Sequence, residues 1–331
     1  MKKIIFYLFL FSFFVCALAC TKVDNKSQSS GTPSTDDTVY IGMTRELGIY
    51  VEDHVTPKKF TDFFGWDTVY GTGYEKYIDY CREMVKKYDK TMKKTNEYTF
   101  REYEKGFDKL TNLKIGSKLY VSLTNGVFPG DVDKYVFDFE DEIGAGNIFY
   151  PVLNMPTTQV IPSNEIVIVS GYSNMSEINK EGITERSTID HFKEIMLSYL
   201  KNVVATDYID DEEIEKKVES IDDEEIKVFK GNFTGKGENE YVVSYWRRLS
   251  FDTFATAIFI MKYDGEIINK HFDLREKDFT YVRLDGIVDY NGDGVYELII
   301  ADGYYEGGGT GLYRLFDNEY KLVAYGFYFG V

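Results

Sequence analysis

The sequence predicts an α+β fold, in which an N-terminal domain of mixed helices and strands precedes a β-rich C-terminal module of two repeated units. Two stretches, 74–96 and 190–202, place apolar residues at the three- and four-residue spacing of an amphipathic helix. From Ile226 onward, short alternating runs are separated by Gly, Asn and Asp turns, which is typical of consecutive strands. Two similar glycine-rich loops, beginning at Asn232 and Asp289, each lead into an apolar run and define the two units.

The N-terminus has the layout of a secretory signal peptide. Lys2 and Lys3 precede an apolar run that ends in Ala-Leu-Ala before Cys20. The run is shorter than the ~20 residues that a membrane-spanning helix needs. The Ala-Leu-Ala-Cys sequence resembles a relaxed form of the bacterial lipobox. That resemblance implies removal of residues 1–19 and lipidation of Cys20, and two or more acyl chains anchor a protein stably. A plain signal peptide with an incidental cysteine is the alternative.

Residues 20–38 are rich in Ser, Thr, Gly and Asp, so they predict a flexible tether that holds a folded domain away from the bilayer. Without Lys2 and Lys3 the chain has 36 basic and 55 acidic residues, a net charge of −19. This charge argues against nucleic acid and anionic headgroups as partners, because both bind Lys- and Arg-rich surfaces. The expected location is a bacterial cell envelope, with the domain facing the periplasm or the exterior.

The first folded domain is expected over residues 39–206. Cys81 lies on the apolar stripe of the predicted helix 74–96, which indicates a buried structural thiol. The second predicted helix, 190–202, closes this domain. Alternating or β-branched runs predict strands within 113–125, 135–139, 148–153 and 165–170.

An acidic linker with a short helix is expected over residues 207–225, and the β module over 226–331. Asp264-Gly265 and Asp317-Asn318 predict tight turns between strands. The run 307–311, which contains four glycines, predicts a hairpin loop, because a phosphate-binding loop would need a following helix or a Lys.

The loop that begins at Asp289 carries oxygen donors at alternate positions, the pattern of a calcium loop. Gly294 stands at position 6, where the chain must turn sharply. The apolar run 298–300 follows, which favours a loop that enters a strand over an EF-hand. An ordinary Asx-rich turn without metal is the alternative. The candidate Ca²⁺ ligands, in a structural role, are Asp289, Asn291, Asp293, the carbonyl of Val295, and Glu297.

The stretch 286–300 resembles the FG-GAP/VCBS repeats of surface proteins, in which such a loop opens a strand of a propeller-blade-like unit. The stretch 231–243 aligns with it in its glycines, its position-9 acid Glu240 and its following strand. Its other ligand positions hold Asn232, Thr234 and Lys236. A lysine at position 5 places a positive charge where the metal would be, so this loop is expected to be structural and metal-free.

No catalytic motif stands out in the sequence. His54, His191 and His271 are scattered without metal-ligand spacing, and there is no Gly-x-Ser-x-Gly sequence. The sequence favours a lipid-anchored binding protein for an unknown protein or glycan. A lipid-anchored hydrolase with its site in the first domain, and a purely structural envelope protein, are the alternatives.

Overall fold

The structure of the chain is a computed structural model. It describes residues 39–45, 48–53, 97–100, 111–138, 149–155, 163–207, 220–237, 239–248, 254–272, 281–304 and 307–330. Residues 36–331 belong to one compact unit. The predicted signal peptide, Cys20, the tether, the predicted helix 74–96 with Cys81, and most of the predicted linker lie outside the described residues.

A six-stranded antiparallel barrel occupies the first half of the described chain. The order β5-β4-β7-β1-β2-β6 closes because β5 also pairs with β6, and β3 adds to the edge of β5. Closure depends on the length of β5, whose first half pairs with β4 and whose second half pairs with β6. The strands are β1 Val39–Arg45, β2 Gly48–Glu52, β3 Glu97–Phe100, β4 Lys118–Leu123, β5 Gly126–Asp138, β6 Phe149–Asn154 and β7 Ile166–Ser170.

Two four-stranded antiparallel sheets form the second half. In each sheet every strand pairs with the next one along the chain, and one of the two glycine-rich loops joins the first strand to the second. The first sheet contains β8 Ile226–Gly231, β9 Glu240–Arg248, β10 Phe254–Met261 and β11 Ile267–Phe272. The second contains β12 Tyr281–Val288, β13 Glu297–Tyr304, β14 Gly307–Phe316 and β15 Glu319–Gly330.

Buried apolar side chains hold these parts together. One core lies between the two sheets and includes Phe229 and Ile258 from the first and Leu284 and Ile300 from the second. Another lies between the barrel and the second sheet and contains Ile41 from β1. The second sheet therefore contributes to one core on the side of the first sheet and to another on the side of the barrel.

The single α-helix of the described residues, α1 Arg186–Asp207, packs on the outer face of the first sheet. Its residues Phe192, Met196 and Leu200 recur every four positions and are buried against Val243 and Phe259. The helix predicted over 190–202 is confirmed. The helix packs on a sheet that follows it in the chain. The domain boundaries expected from the sequence had placed the helix in the first domain, residues 39–206.

The α+β prediction is wrong, because strands make up 58% of the described residues and α1 is the one α-helix among them. The mixed helix/strand domain expected over 39–206 is, in its described residues up to Ser170, a closed barrel. Its strands were visible in the sequence, since all four predicted segments overlap β4, β5, β6 or β7. Their closure was not visible, because barrel pairing joins β1 to β7 and β2 to β6 across long stretches of chain.

The hairpin loop predicted at 307–311 is also wrong, because these glycines begin strand β14 and pair with both β13 and β15. Glycine occurs in these paired strands because tyrosine rings approach the backbone closely. A Cβ on Gly309 would overlap the hydroxyl end of Tyr325, and a Cβ on Gly303 of β13 would overlap the ring of Tyr281. A larger residue at either position would overlap a tyrosine ring, so glycine occupies both.

The two other predicted turns are confirmed. Asp264 and Gly265 lie in the connection between β10 and β11. Asp317 and Asn318 join β14 to β15, and both have positive φ, at 52° and 66°. Two consecutive positive φ values define the type I′ turn, whose twist matches that of the flanking strands.

Candidate functional site

The loop predicted to bind calcium connects β12 to β13 and is organised by the carboxylate of Asp289. Its Oδ1 accepts hydrogen bonds from the backbone N–H groups of Gly292 (2.7 Å) and Asp293 (3.2 Å). Its Oδ2 accepts one from Gly294 (2.8 Å), which has a φ of 83°. Asp289 is 8% exposed, so these bonds replace solvation of its charge. The side-chain-to-backbone bonds of an Asx-rich turn, the alternative for this loop, are therefore present.

The middle of the loop is closed around Asp293. Its Oδ1 accepts a hydrogen bond from Val295 N (2.9 Å), and its Oδ2 accepts one from Asn291 Nδ2 (3.0 Å) and one from the Arg314 guanidinium. Burial opposes ionisation of Asp293. The bonds from Val295, Asn291 and Arg314 outweigh burial and lower its pKa below the usual value. Asp293 is consequently charged at neutral pH.

Glu297, the last predicted ligand, points into the protein and is fully buried. Its Oε2 accepts a hydrogen bond from Tyr290 N at 3.1 Å. Its Oε1 has no hydrogen-bond partner among the described residues, and the nearest cationic atom, Arg314 Nε, lies 3.7 Å away. Burial raises the pKa of Glu297 to about 8, although the Tyr290 bond and Arg314 oppose the shift.

Arg314, on β14, is the site residue that sequence reasoning missed. Its guanidinium donates to Asp293 and to the Tyr290 hydroxyl (3.2 Å), and it faces Glu297. It therefore supplies positive charge between two of the predicted calcium ligands. Nothing in the local pattern could have indicated it, because it lies in another strand of the sheet.

The second loop, between β8 and β9, is closed by its own position-9 acid. Glu240 is 1% exposed, and its Oε2 accepts bonds from Phe233 N (2.6 Å) and Thr234 N (2.8 Å). Its Oε1 accepts a bond from the Thr234 hydroxyl. Glu240 and Glu297, which align in the sequence, therefore have the same structural role, because each carboxylate accepts a backbone N–H bond from the start of its own loop.

The two loops lie side by side and are bonded to each other. Asn232 Nδ2 donates to Gly294 O at 2.9 Å, and Tyr296 N donates to Asn232 O at 2.9 Å. The rings of Phe233 and Tyr296 lie 6.1 Å apart. Asn232, expected only to be a degenerate ligand, is the residue that couples the two loops.

The donor set of the Asp289 loop fits calcium in its chemistry, because all five predicted ligands offer oxygen. Its present arrangement gives those oxygens other partners: backbone N–H groups on Asp289, and Arg314 beside Asp293 and Glu297. Within the described ranges, no group of three or more His, Cys, Asp or Glu side chains is placed to hold a metal ion.

The two histidines that the structure describes pack against aromatic rings. His191 on α1 stacks on Tyr263 with ring centroids 4.3 Å apart. His271 on β11 lies 4.5 Å from the ring of Tyr313 and 5.6 Å from that of Tyr320. Burial lowers the pKa of His271 to about 4. His54 lies outside the described residues.

We expect the contribution of His271 to the free energy of unfolding to fall as pH drops from about 6.5 to about 4, because the unfolded chain binds a proton at His271 that the folded chain excludes. Protonation of Glu297 in the folded chain acts in the opposite direction, so the contribution of His271 is measured as a difference between variant and parent. The loss attributable to His271 is about 3 kcal/mol, at about 1.4 kcal/mol for each unit of pKa shift. Urea denaturation across this range measures it. A His271→Phe variant should lose less stability in acid than the parent. Equal acid sensitivity of His271→Phe and the parent would contradict this assignment.

A cavity of about 650 Å³ lies between the barrel and the two sheets. Thr124, Asn125 and the segment 163–166 contribute from the barrel, and Lys227 and Asp285 from the sheets. Its volume falls in the range that small-molecule sites occupy. No local sequence pattern indicates this cavity, because the lining residues come from segments far apart in the chain.

No protein-family model matches this chain, and comparisons with curated proteins and with solved structures found no significant similarity. No helix in the described part of the chain has the length and apolar character needed to cross a bilayer. The described residues combine a six-stranded barrel with two four-stranded sheets that share the same strand order.

Proposed function

We propose that this chain is a lipid-anchored protein of the bacterial cell envelope that binds a ligand outside the cytoplasm. The observation that carries the proposal is the Ala-Leu-Ala-Cys sequence at Cys20, which follows a short apolar run and precedes a polar tether. A lipid on Cys20 would hold the unit 36–331 close to a membrane while the tether leaves its surfaces accessible. The acidic charge keeps such a domain soluble beside the bilayer.

The cavity between the barrel and the sheets supports binding as the activity. Its lining includes charged Lys180, Lys227, Glu165 and Asp285, together with amide and hydroxyl side chains. Backbone hydrogen bonds fix the segments that carry these groups, so the cavity does not depend on a mobile surface loop for its shape. A preformed cavity with a few placed polar groups is the usual form of a small-molecule site.

The anchor is tested by expressing the full-length chain and a Cys20→Ser variant in a bacterium that processes lipoproteins. We expect the parent to sediment with membranes and to require detergent for release, because acyl chains are buried in the bilayer. The Cys20→Ser chain should lose this retention. A Cys16→Ser variant is the matched control and should behave as the parent. Equal membrane retention of all three chains would refute the proposed anchor.

We further propose that the Asp289 loop takes calcium as a structural ion. Asp289, Asn291, Asp293, the Val295 carbonyl and Glu297 would hold it, and Arg314 would be its competitor. A divalent cation would neutralise the acids that Arg314 now neutralises in part.

Thermal melts in calcium, in magnesium and with a chelator test this second proposal. At about 1 mM calcium and a weak site, we expect about 1 kcal/mol of stabilisation, or a rise in Tm of about 2 °C. Magnesium should give less, because it needs a tighter octahedral site. Arg314→Gln should enlarge the calcium effect by removing the competing charge. Identical melts in all three solutions, for both chains, would rule out calcium at this loop.

A further inference from the structure

The cavity between the barrel and the sheets has a fixed wall. Ile178 N donates to Leu123 O at the end of β4 (3.0 Å), and Asn179 exchanges two backbone hydrogen bonds of 3.0 Å with Ile287 of β12. Gly286 permits this contact, because a Cβ there would lie 2.8 Å from Asn179 O. The next residue after Asn179 is Lys180, which lines the cavity, so its backbone position is set from two sides.

A β-bulge places an acid in the lining. The register between β12 and β13 shifts between Leu284 and Gly286, so Asp285 is the extra residue on its strand. Bulges re-aim side chains and are frequent beside binding sites. The Asp285 carboxylate bonds to Arg283 Nε at 2.7 Å, so its charge is already compensated.

The charges of the lining do not all cancel. Lys180 Nζ binds Glu165 Oε1 at 2.8 Å, and Asp285 is paired with Arg283. Lys227 is half-buried on β8, and its backbone pairs with Ser244 of β9. Its ammonium interacts electrostatically with Asp285 but forms no hydrogen bond or ion pair with any other side chain of the described residues. Burial lowers the pKa of Lys227, and the nearby Asp285 opposes that shift. One ammonium group therefore faces the cavity without a bound anion.

The rest of the polar lining is neutral. Thr124 and Asn125 come from the β4–β5 turn, and Ser163 and Asn164 from the turn before β7. Asn164 has a φ of 64°, and its N–H donates to Thr44 O at 2.7 Å, which fixes that turn on β1. Amides and hydroxyls both donate and accept, which suits a ligand that carries several hydroxyl groups.

We infer that this cavity binds a small hydroxylated organic monoanion, of the size and chemistry of a sugar acid, with its carboxylate on Lys227 and its hydroxyls on the neutral rim. The inference deepens the proposed binding function and rests on it, but it requires neither the lipid anchor nor calcium. A single uncompensated ammonium matches a single negative charge. A phosphate dianion would bring a second negative charge, whereas the other cation of the described lining, Lys180, is already paired with Glu165.

Isothermal titration of the full-length chain in detergent tests the inference, with glucuronate, glucose and glucose 6-phosphate as probes. We expect glucuronate to bind with a Kd on the order of 0.1–1 mM, which is ordinary for a ligand of that size. Glucose lacks the charge and should bind at least tenfold more weakly, because it leaves the buried ammonium unpaired. Glucose 6-phosphate should also bind more weakly than glucuronate.

Two lysines on one strand provide the variant and its control. Lys227→Met should weaken glucuronate binding at least tenfold while retaining the length of the side chain. Lys230→Met removes a charge from the exposed, opposite face of β8 and should leave binding unchanged. The inference is overturned if the two variants bind glucuronate equally, if glucose binds as well as glucuronate, or if glucuronate does not bind the parent. Retention by Cys20 is measured separately, so loss of the sugar-acid ligand and loss of the anchor give different results.

Discussion

A Glu240→Ala variant is expected to lose about 3–5 kcal/mol of its free energy of unfolding, because one buried N–H, one partly buried N–H and one hydroxyl lose their acceptor together. The carboxylate is 1% exposed and accepts from Phe233 N, Thr234 N and the Thr234 hydroxyl. Each unsatisfied buried donor costs about 1–3 kcal/mol. The alanine also leaves a cavity beneath the loop, which adds to the loss.

The matched comparison is Glu297→Ala in the other loop. Glu297 accepts one backbone bond, from Tyr290 N, and its own burial costs free energy, so we expect about 1–3 kcal/mol of destabilisation. Glu319→Ala, at the exposed first residue of β15, should stay within about 0.5 kcal/mol of the parent. Urea denaturation of the four chains measures these differences. Equal losses for Glu240→Ala and Glu297→Ala would show that the count of buried donors does not determine the effect.

A Gly308→Ala variant is expected to lose about 3 kcal/mol, because its added methyl group would meet backbone that cannot move independently. The Cβ would lie 2.5 Å from Asp302 O and 3.0 Å from Gly303 Cα on the paired strand β13. Relief requires separating β14 from β13 or distorting the ladder that joins them. The variant also tests the assignment of 307–311 to a strand, because a hairpin loop would accept alanine at much lower cost.

Gly130→Ala is the control, since Gly130 is also a strand glycine, on β5. Its added methyl group would lie 3.2 Å from Leu153 Cδ2 and 3.3 Å from Asn154 O, which is close but not overlapping. Alanine also reduces the conformational entropy of the unfolded chain, which stabilises the variant by about 0.4–1 kcal/mol. The net change in the free energy of unfolding should therefore be within about 1 kcal/mol. Thermal and urea unfolding of both variants decide the matter, and a Gly308→Ala chain as stable as Gly130→Ala would contradict the paired-strand geometry.

Local sequence patterns were sufficient to predict the elements whose formation depends on neighbouring residues. Alternation placed the strands around 113–125 and 165–170, and four-residue spacing placed the helix that contains Phe192 and Met196. Asx and glycine chemistry predicted the closed loop at Asp289 and the turn at Asp317. These features are readable because backbone dihedrals and side-chain periodicity respond to the nearest few residues.

The tertiary structure alone decided which elements meet. Closure of β5 on β6, the packing of α1 on the first sheet, and the approach of Arg314 to Asp293 all join segments that local patterns treat separately. The strand at 307–311 is a further example, because a tyrosine ring from a neighbouring strand leaves space only for glycine at Gly309. The cavity at Lys227 is likewise assembled from distant segments. The physical reason is that burial and charge compensation are satisfied in space, by whichever partner the fold brings close, and a pattern along the chain does not record that partner.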